Sequence, residues 1–151
     1  MYKRNTSAVM KFTALLLIMA LLCPVNVCAV EPRASNYLDS YNAYPYAAGG
    51  GKVQIWFTVT ADYYMDDVGS LSIQIYECTT NSSNINDWES VASFTNGNTP
   101  SILGHDDYYH SSHVSYDGTA NMWYKAYVCI YAGDETGGDT RYLWTGAVKA
   151  T

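Results

Sequence analysis

Alternation of apolar and polar residues is the feature of this sequence that most restricts its fold. In each of the segments 52–60, 71–76 and 122–132, alternate residues are apolar. The residues expected to face inward are Val53, Ile55, Phe57 and Val59 in the first segment, Leu71, Ile73 and Ile75 in the second, and Tyr124, Ala126, Val128 and Ile130 in the third. Because successive side chains of a strand point to opposite faces, this period of two predicts strands that are buried on one face. No long helical stripe follows residue 30, so we expect an all-β protein.

Clusters of glycine, asparagine, serine and aspartate separate these segments from one another and from shorter strand candidates. The shorter candidates are 37–46, 88–94, 113–116 and 141–148, and the turn clusters are 49–51, 81–84, 96–98, 117–118 and 137–139. Such residues favour tight turns because they tolerate left-handed backbone or bond to their own backbone. About seven short strands joined by turns predict an antiparallel β-sandwich of immunoglobulin or fibronectin type, with a small β-barrel as the alternative.

The segment 124–131 resembles the sixth strand of such a sandwich, in which a tyrosine near the strand start closes the preceding corner. Its expected neighbour is the third strand, 71–76. In antiparallel pairing, Cys78 then lies near Trp123, and Cys129 lies opposite the start of the third strand. A disulfide needs Cα atoms within about 7 Å. The expected register therefore argues against a bridge between Cys78 and Cys129.

The first 29 residues have the features of a secretory signal peptide. Lys3, Arg4 and Lys11 supply positive charge, and the apolar stretch 12–22 follows them. Small residues precede a cleavage site that we place after Ala29. The apolar stretch is about half as long as a membrane-spanning helix. These features predict a secreted protein with no membrane span after cleavage.

The secreted chain is expected to hold a short segment, 30–36, and a single β-sandwich domain, 37–151. The sequence has 14 acidic and 8 basic residues. Three of the basic residues lie in the signal peptide, which leaves five against 14 acidic ones and a net charge of −9. A surface of this sign repels phosphate backbones, so no nucleic-acid partner is expected. The oligomeric state is left open.

Aromatic residues on the outward faces of the third and sixth predicted strands are the main candidates for function. The chain has 15 tyrosines and 4 tryptophans. The candidate ligand-binding residues are Gln74, Tyr76, Lys125, Tyr127, Tyr131 and Arg141. Tyrosine combines an apolar ring with a polar tip, which suits stacking on sugar rings or docking of a peptide. We therefore expect a non-catalytic binding module for an extracellular glycan or cell-envelope component. Trp56 projects from the opposite sheet, and ordinary half-exposed strand positions are the alternative explanation for the tyrosines.

Two acidic loops are candidate calcium sites. Asp66 and Asp67 lie in one loop, and Asp134 and Asp139 lie in a second, glycine-rich loop. Oxygen-rich loops bind extracellular calcium weakly, although neither loop has the spacing of a dedicated calcium motif. Solvated turn residues are the alternative interpretation, and no other cofactor is expected.

Histidines cluster at 105–113, but their spacing is poor for a metal site. On a strand, His110 and His113 point to opposite faces. The preferred interpretation is a polar loop that leads into a strand. Ser111 and Ser112 adjoin the histidines without any nucleophile-elbow motif. We therefore expect no enzymatic activity.

Segments spread over the secreted chain resemble a family of small secreted proteins from anaerobic Gram-positive bacteria, classed as a domain of unknown function. The resembling segments are 37–41, 49–53, 64–69, 73–77, 116–118, 124–134 and 138–140. The resemblance implies export, a compact β domain and no assigned activity. The segment 107–114 is similar to lactococcin-like secreted bacteriocins, which implies a factor for antagonism or signalling between cells. A structural component of the envelope is a third hypothesis.

Overall fold

The computed structural model describes residues 35–151, whose regular structure consists of seven β-strands and two short 3₁₀ turns. The strands are β1 (Leu38–Gly49), β2 (Lys52–Cys78), β3 (Glu89–Thr95), β4 (Leu103–Asp117), β5 (Trp123–Asp134), β6 (Gly137–Trp144) and β7 (Val148–Lys149). The turns are Ile85–Asp87 and Pro100–Ile102. All strand pairs are antiparallel. The predicted fold class, an all-β antiparallel architecture of about seven strands, is confirmed. The predicted signal peptide lies outside the described residues.

The strand β2 connects the two halves of the sheet. Its first half pairs with β1 on one side and with β4 on the other. Its second half pairs with β5 on one side and with β3 on the other. The sheet curls so that the apolar sides of both halves face one common core. We refer below to the β1–β2–β4 half and the β3–β2–β5–β6 half.

The structure corrects the prediction that 52–60 and 71–76 are separate strands. Both segments belong to β2, and the acidic residues between them continue the strand. The reason is that β4 pairs with β2 on both sides of this segment, along residues 52–60 and again between Met65 and Gly69. A register shift between Thr60 and Met65 marks a bulge, and bulges bend a strand without ending it. Residues that favour turns in isolation are therefore held in the sheet by their pairing with β4.

The predicted last strand, 141–148, divides into β6 and β7, so the strand count stays at seven. Thr145 lies between them and keeps contact with β5. Its backbone N–H donates to the carbonyl oxygen of Ala126 at 2.9 Å, and its hydroxyl accepts the N–H of Ala126 at 2.9 Å. A side-chain oxygen thus replaces one backbone acceptor of the ladder at the break.

The predicted inward faces of the long strands form the core. The fully buried members from those faces are Val53, Ile55, Phe57, Val59, Ile73, Ile75, Tyr124, Ala126, Val128 and Ile130. The remaining predicted inward residue, Leu71, is only half-buried. A register shift between Ser70 and Ser72 accounts for the difference, because a bulge there turns Ser70 inward instead. The buried Ser70 hydroxyl is satisfied by the carbonyl oxygens of Ser72 at 3.1 Å and Cys129 at 3.0 Å.

The predicted corner tyrosine is confirmed at Tyr124, the largest fully buried side chain of the core. Its hydroxyl accepts the backbone N–H of Thr119 at 2.7 Å and donates to Glu77 Oε2 at 2.9 Å. Burial raises the pKa of Tyr124, so the hydroxyl remains a donor at neutral pH. This one group ties the turn before β5 to the end of β2.

Replacing Tyr124 with Phe should lower the free energy of unfolding by about 1–2 kcal/mol, because it leaves the Thr119 N–H and the Glu77 carboxylate without their buried partner. Urea denaturation of the purified protein measures this change. Tyr116→Phe is the matched control, since within residues 35–151 the Tyr116 hydroxyl makes no hydrogen bond while its ring packs near Tyr124. Equal stability of the two variants would show that the corner bond contributes nothing.

Gly69 lies where β2 is bonded to β4 and β5 at once, opposite Leu103 and Tyr131. Its φ is +145°, and a Cβ there would lie 2.5 Å from the carbonyl oxygen of Ile102. An L side chain therefore meets both backbone strain and a backbone clash at this position.

Gly69→Ala should cost about 2 kcal/mol or more of stability, measured by the same denaturation experiment. Gly97→Ala is the control, because its Cβ would meet nothing closer than 3.7 Å. The control should change stability by less than about 0.5 kcal/mol. A neutral Gly69→Ala would mean that the strand crossing tolerates a side chain and that β2 is less constrained than described.

Candidate functional site

Aromatic residues cover the outward side of the β3–β2–β5–β6 half of the sheet. Pairing across the strands places Tyr76 beside Lys125 and places Tyr127 beside Trp144. Tyr142 lies one pair further along, opposite Cys129. Trp88 folds over the same side from the segment before β3. We call this set the aromatic face: Tyr76, Trp88, Lys125, Tyr127, Tyr142 and Trp144.

Trp144 is the centre of the aromatic face. Its ring centroid lies 4.8 Å from that of Tyr127 and 5.1 Å from that of Tyr76. The rings of Tyr127 and Tyr142 are nearly parallel, with an interplanar angle of 13° and centroids 5.7 Å apart. Trp144 and Tyr142 are 43% and 61% exposed, whereas Tyr76 and Tyr127 are half-buried. The two exposed rings, Trp144 and Tyr142, therefore pack against the more enclosed rings of Tyr76 and Tyr127.

Lys125 lies between two tryptophans. Its Nζ is 4.2 Å from the Trp88 ring centroid and 4.9 Å from the Trp144 ring centroid. Trp88 is buried and fixed by its own Nε1, which donates to the carbonyl oxygen of Ser82 at 3.0 Å. Partial burial lowers the pKa of Lys125, while the two indole faces attract the ammonium form. The lysine thus contacts the rings of both tryptophans.

Two further predicted residues, Gln74 and Tyr131, lie on the same side of the sheet, and Gln74 pairs directly with Tyr127. Gln74 Nε2 donates to Ser90 Oγ at 2.6 Å, which directs its amide toward the β3 edge. The Tyr131 ring occupies the space where side chains of Gly133 and Gly138 would be. Tyr131 therefore fills the gap that two glycines leave between β5 and β6, away from the Trp144 cluster.

The prediction that Arg141 flanks the tyrosines is wrong. Arg141 pairs with Ile130, and residues directly opposite each other point to the same face. Because Ile130 is fully buried in the core, Arg141 belongs to the inward side of the edge strand β6. Its guanidinium bonds the carbonyl oxygen of Thr140 at 3.0 Å and lies 4.0 Å from Asp139.

Sequence reasoning missed Tyr142, Trp144 and Trp88 as members of the face. The first two alternate along β6 and face outward, but only the pairing of β6 with β5 shows which residues they adjoin. That register could have been found by matching outward Tyr127 with outward Trp144. The position of Trp88 depends on how the segment between β2 and β3 folds, and the alternation of apolar and polar residues does not predict that.

Three of the four aspartates proposed for calcium accept hydrogen bonds from protein groups. His105 Nδ1 lies 2.6 Å from Asp67 Oδ1, and Asp139 accepts the hydroxyl of Ser35. Asp134 accepts the hydroxyl and the N–H of Thr136, which lowers the pKa of its carboxyl. Asp66 is exposed. Across residues 35–151, no three His, Cys, Asp or Glu side chains form a group that could hold a metal ion.

The histidine segment is part of β4 and not the polar loop that the sequence predicts, because β4 begins at Leu103. His110 and His113 do point to opposite faces, as expected. His110 pairs with buried Val59, and its Nε2 donates to the carbonyl oxygen of Ser101 at 3.0 Å. His113 lies outward and stacks on Trp56. The described part of the chain has no helix long and apolar enough to cross a membrane.

Comparison with known proteins assigns no family to this chain. No protein-family model matches its sequence, and no curated protein matches it. Among solved structures, the chain is similar to the crystal structure of Spo0M, a sporulation control protein from Bacillus subtilis, with 9% sequence identity and a TM-score of 0.35. The match covers 72% of this chain and 50% of Spo0M, so the chain spans about half the length of that protein. A likeness at this level indicates nothing about activity.

The two cysteines of the described residues are both buried and free. Cys78 pairs with Trp123 and Cys129 pairs with Ser72, which is the register that the sequence predicts. Six residues of β5 therefore separate the two positions, a span of about 20 Å along the strand. Burial also raises the pKa of the Cys129 thiol, which disfavours the reactive thiolate.

Cys78 and Cys129 should therefore remain thiols after prolonged exposure of the folded protein to air. Alkylation with iodoacetamide after denaturation, followed by peptide mapping, should label both residues to the same extent with and without prior reduction. Labelling that appears only after reduction would reveal a disulfide and would contradict the register between β2 and β5.

Proposed function

We propose that the protein is a secreted, non-catalytic binding module whose aromatic face binds a glycan of the cell envelope or its surroundings. The observation that supports this proposal is the exposure of Trp144 and Tyr142 on a scaffold of packed rings. Exposed aromatic rings that are already held in one orientation lose little conformational entropy when a ligand covers them.

The chemistry of the face suits a sugar. The flat C–H side of a pyranose ring packs on an aromatic ring and removes apolar surface of both from water. The rings of Tyr76 and Tyr127 adjoin that of Trp144, and the Tyr142 ring stacks on Tyr127. Tyrosine hydroxyls both donate and accept hydrogen bonds, as sugar hydroxyls do. The Gln74 amide extends the set of polar groups toward β3.

A purely structural role for the cluster is the competing explanation. The core on the other side of β5 is already filled by fully buried residues such as Val128 and Ile130. The outer cluster adds packing to Tyr76 and Tyr127, yet it leaves its two edge rings largely in water. Contiguous exposed aromatic surface on a soluble domain is typical of an interaction site. The two roles separate in an experiment, because a structural role changes stability and a binding role changes affinity.

Retention on insoluble polysaccharides and purified cell-wall material tests the proposal. The double variant Tyr142→Ala and Trp144→Ala should lose about tenfold or more of the affinity of the natural protein, since two stacking surfaces are removed. Tyr64→Ala is the control, because Tyr64 is 70% exposed, more than either Tyr142 or Trp144, but lies at the β2 bend and packs on Tyr108. Circular dichroism verifies that each variant is folded.

Unchanged retention of the folded double variant, or an equal loss with Tyr64→Ala, would contradict the proposal. Retention should be the same in calcium and in chelator, since the carboxylates of the acidic segments do not converge. A protein that binds no polysaccharide but alters the growth of related strains would instead favour the antagonism hypothesis.

A further inference from the structure

Four rows of side chains on the outward side of the β1–β2–β4 half contain no aspartate, glutamate, lysine or arginine, whereas the row at their end holds the ion pair of Lys52 and Asp117, whose charged groups lie 3.2 Å apart. The twelve side chains of those four rows come from three adjacent strands. They are Ser40, Asn42, Tyr44 and Tyr46 from β1, Gln54, Trp56, Thr58 and Thr60 from β2, and Tyr109, Ser111, His113 and Ser115 from β4. We call this set the uncharged face. Asp117 adjoins this set, two residues beyond Ser115 on β4, and is paired with Lys52.

Strand register arranges these side chains in rows. Tyr44, Trp56 and His113 form one row across the three strands. The next row on one side is Tyr46, Gln54 and Ser115, and the next on the other side is Asn42, Thr58 and Ser111. Neighbouring strands lie about 4.8 Å apart, so each row places three side chains within about 10 Å. Aromatic rings are thereby bordered on both sides by hydroxyl and amide groups.

The central tryptophan of the uncharged face is held in a fixed orientation. The rings of Trp56 and His113 are stacked, with centroids 4.2 Å apart and an interplanar angle of 20°. Trp56 Nε1 donates to Gln54 Oε1 at 3.1 Å, and Gln54 Nε2 donates to Ser115 Oγ at 3.4 Å. These contacts order the polar groups next to the ring before any ligand arrives, which lowers the entropic cost of binding.

The composition of the uncharged face selects the class of ligand. Tyrosine and tryptophan are enriched at protein–protein interfaces too, but the arginine and methionine that accompany them there are missing from the uncharged face, which holds serine instead, a residue depleted at such interfaces. The one lysine beside this face, Lys52, is paired with Asp117, so the twelve residues themselves offer no basic group to phosphate or an anionic membrane. Tyr44 and Tyr46 are 48% and 55% exposed and offer stacking surface beside Asn42 and Ser115. A surface without charge, rich in hydroxyls and aromatic rings, complements a neutral polysaccharide.

We propose that the uncharged face is a second binding site, for neutral polysaccharide, and that the protein is bivalent. The inward residues of both halves meet in one core, so the two outer faces point away from each other. One molecule can then hold two polysaccharide chains at once. The second site stands on its own residues, while the bivalence also rests on the proposed function of the aromatic face.

Affinity electrophoresis tests the second site. The gels contain soluble neutral glucan, mannan or xylan, with polygalacturonate as the anionic comparison. Four forms of the full secreted protein are compared: the natural protein, Tyr44→Ser with Tyr46→Ser, Tyr142→Ala with Trp144→Ala, and the variant with all four changes. Each pair alone should weaken binding to the same neutral polysaccharide by about tenfold, and all four changes should abolish it. Tyr41→Ser is the control on β1, because Tyr41 is 41% exposed but pairs with buried Val59 and faces the other side.

The natural protein should also cross-link and precipitate the polysaccharide, and neither pair variant should. Complete loss of binding in Tyr142→Ala with Trp144→Ala would overturn the second site and leave the proposed function intact. Complete loss in Tyr44→Ser with Tyr46→Ser, without effect of the other pair, would overturn the proposed function and the bivalence and leave the uncharged face as the single site. No binding to any neutral polysaccharide, or binding only to a protease-sensitive wall component, would overturn the inference.

Discussion

One strand, β2, carries hydrogen bonds on both edges over most of its length, and four of the other six strands pair with it directly. Its inward residues contribute to the core from both halves of the sheet. Its outward residues place Trp56 in the middle of one face and Tyr76 within the other. The bend near Thr60 and the glycine at position 69 let a single chain segment serve both halves. The two faces are thus consequences of one continuous backbone ladder.

The expected antiparallel pairing of 71–76 with 124–131 predicted the register that keeps Cys78 and Cys129 apart. The period of two predicted most of the buried residues of the long strands and, through Tyr124, how β5 begins. It could not predict that β2 is continuous, because the segment between its halves is rich in residues that favour loops when they lack a partner strand. Leu71 shows the same limit, since a bulge changes the face of one residue without altering the local pattern.

The candidate site was predictable only in part for a related reason. Tyr76, Lys125 and Tyr127 follow from alternation along two strands, and the structure brings them together. Trp144 and Tyr142 require the pairing of a third strand, and the inward position of Arg141 follows from that same pairing. Contacts between strands distant in sequence decide the composition of a sheet face, whereas alternation decides only which residues are available to it.

The most direct test of the account is amide chemical-shift mapping of the isotope-labelled protein during titration with a soluble neutral polysaccharide. We expect the largest changes at Tyr142 and Trp144 in β6 and at Tyr44 to Tyr46 in β1, with Trp56 and His113 also affected. The acidic segments around Asp66 and Asp134 should remain unchanged. Changes confined to those acidic segments, with both faces silent at saturating polysaccharide, would contradict the assignment of binding to aromatic sheet surfaces.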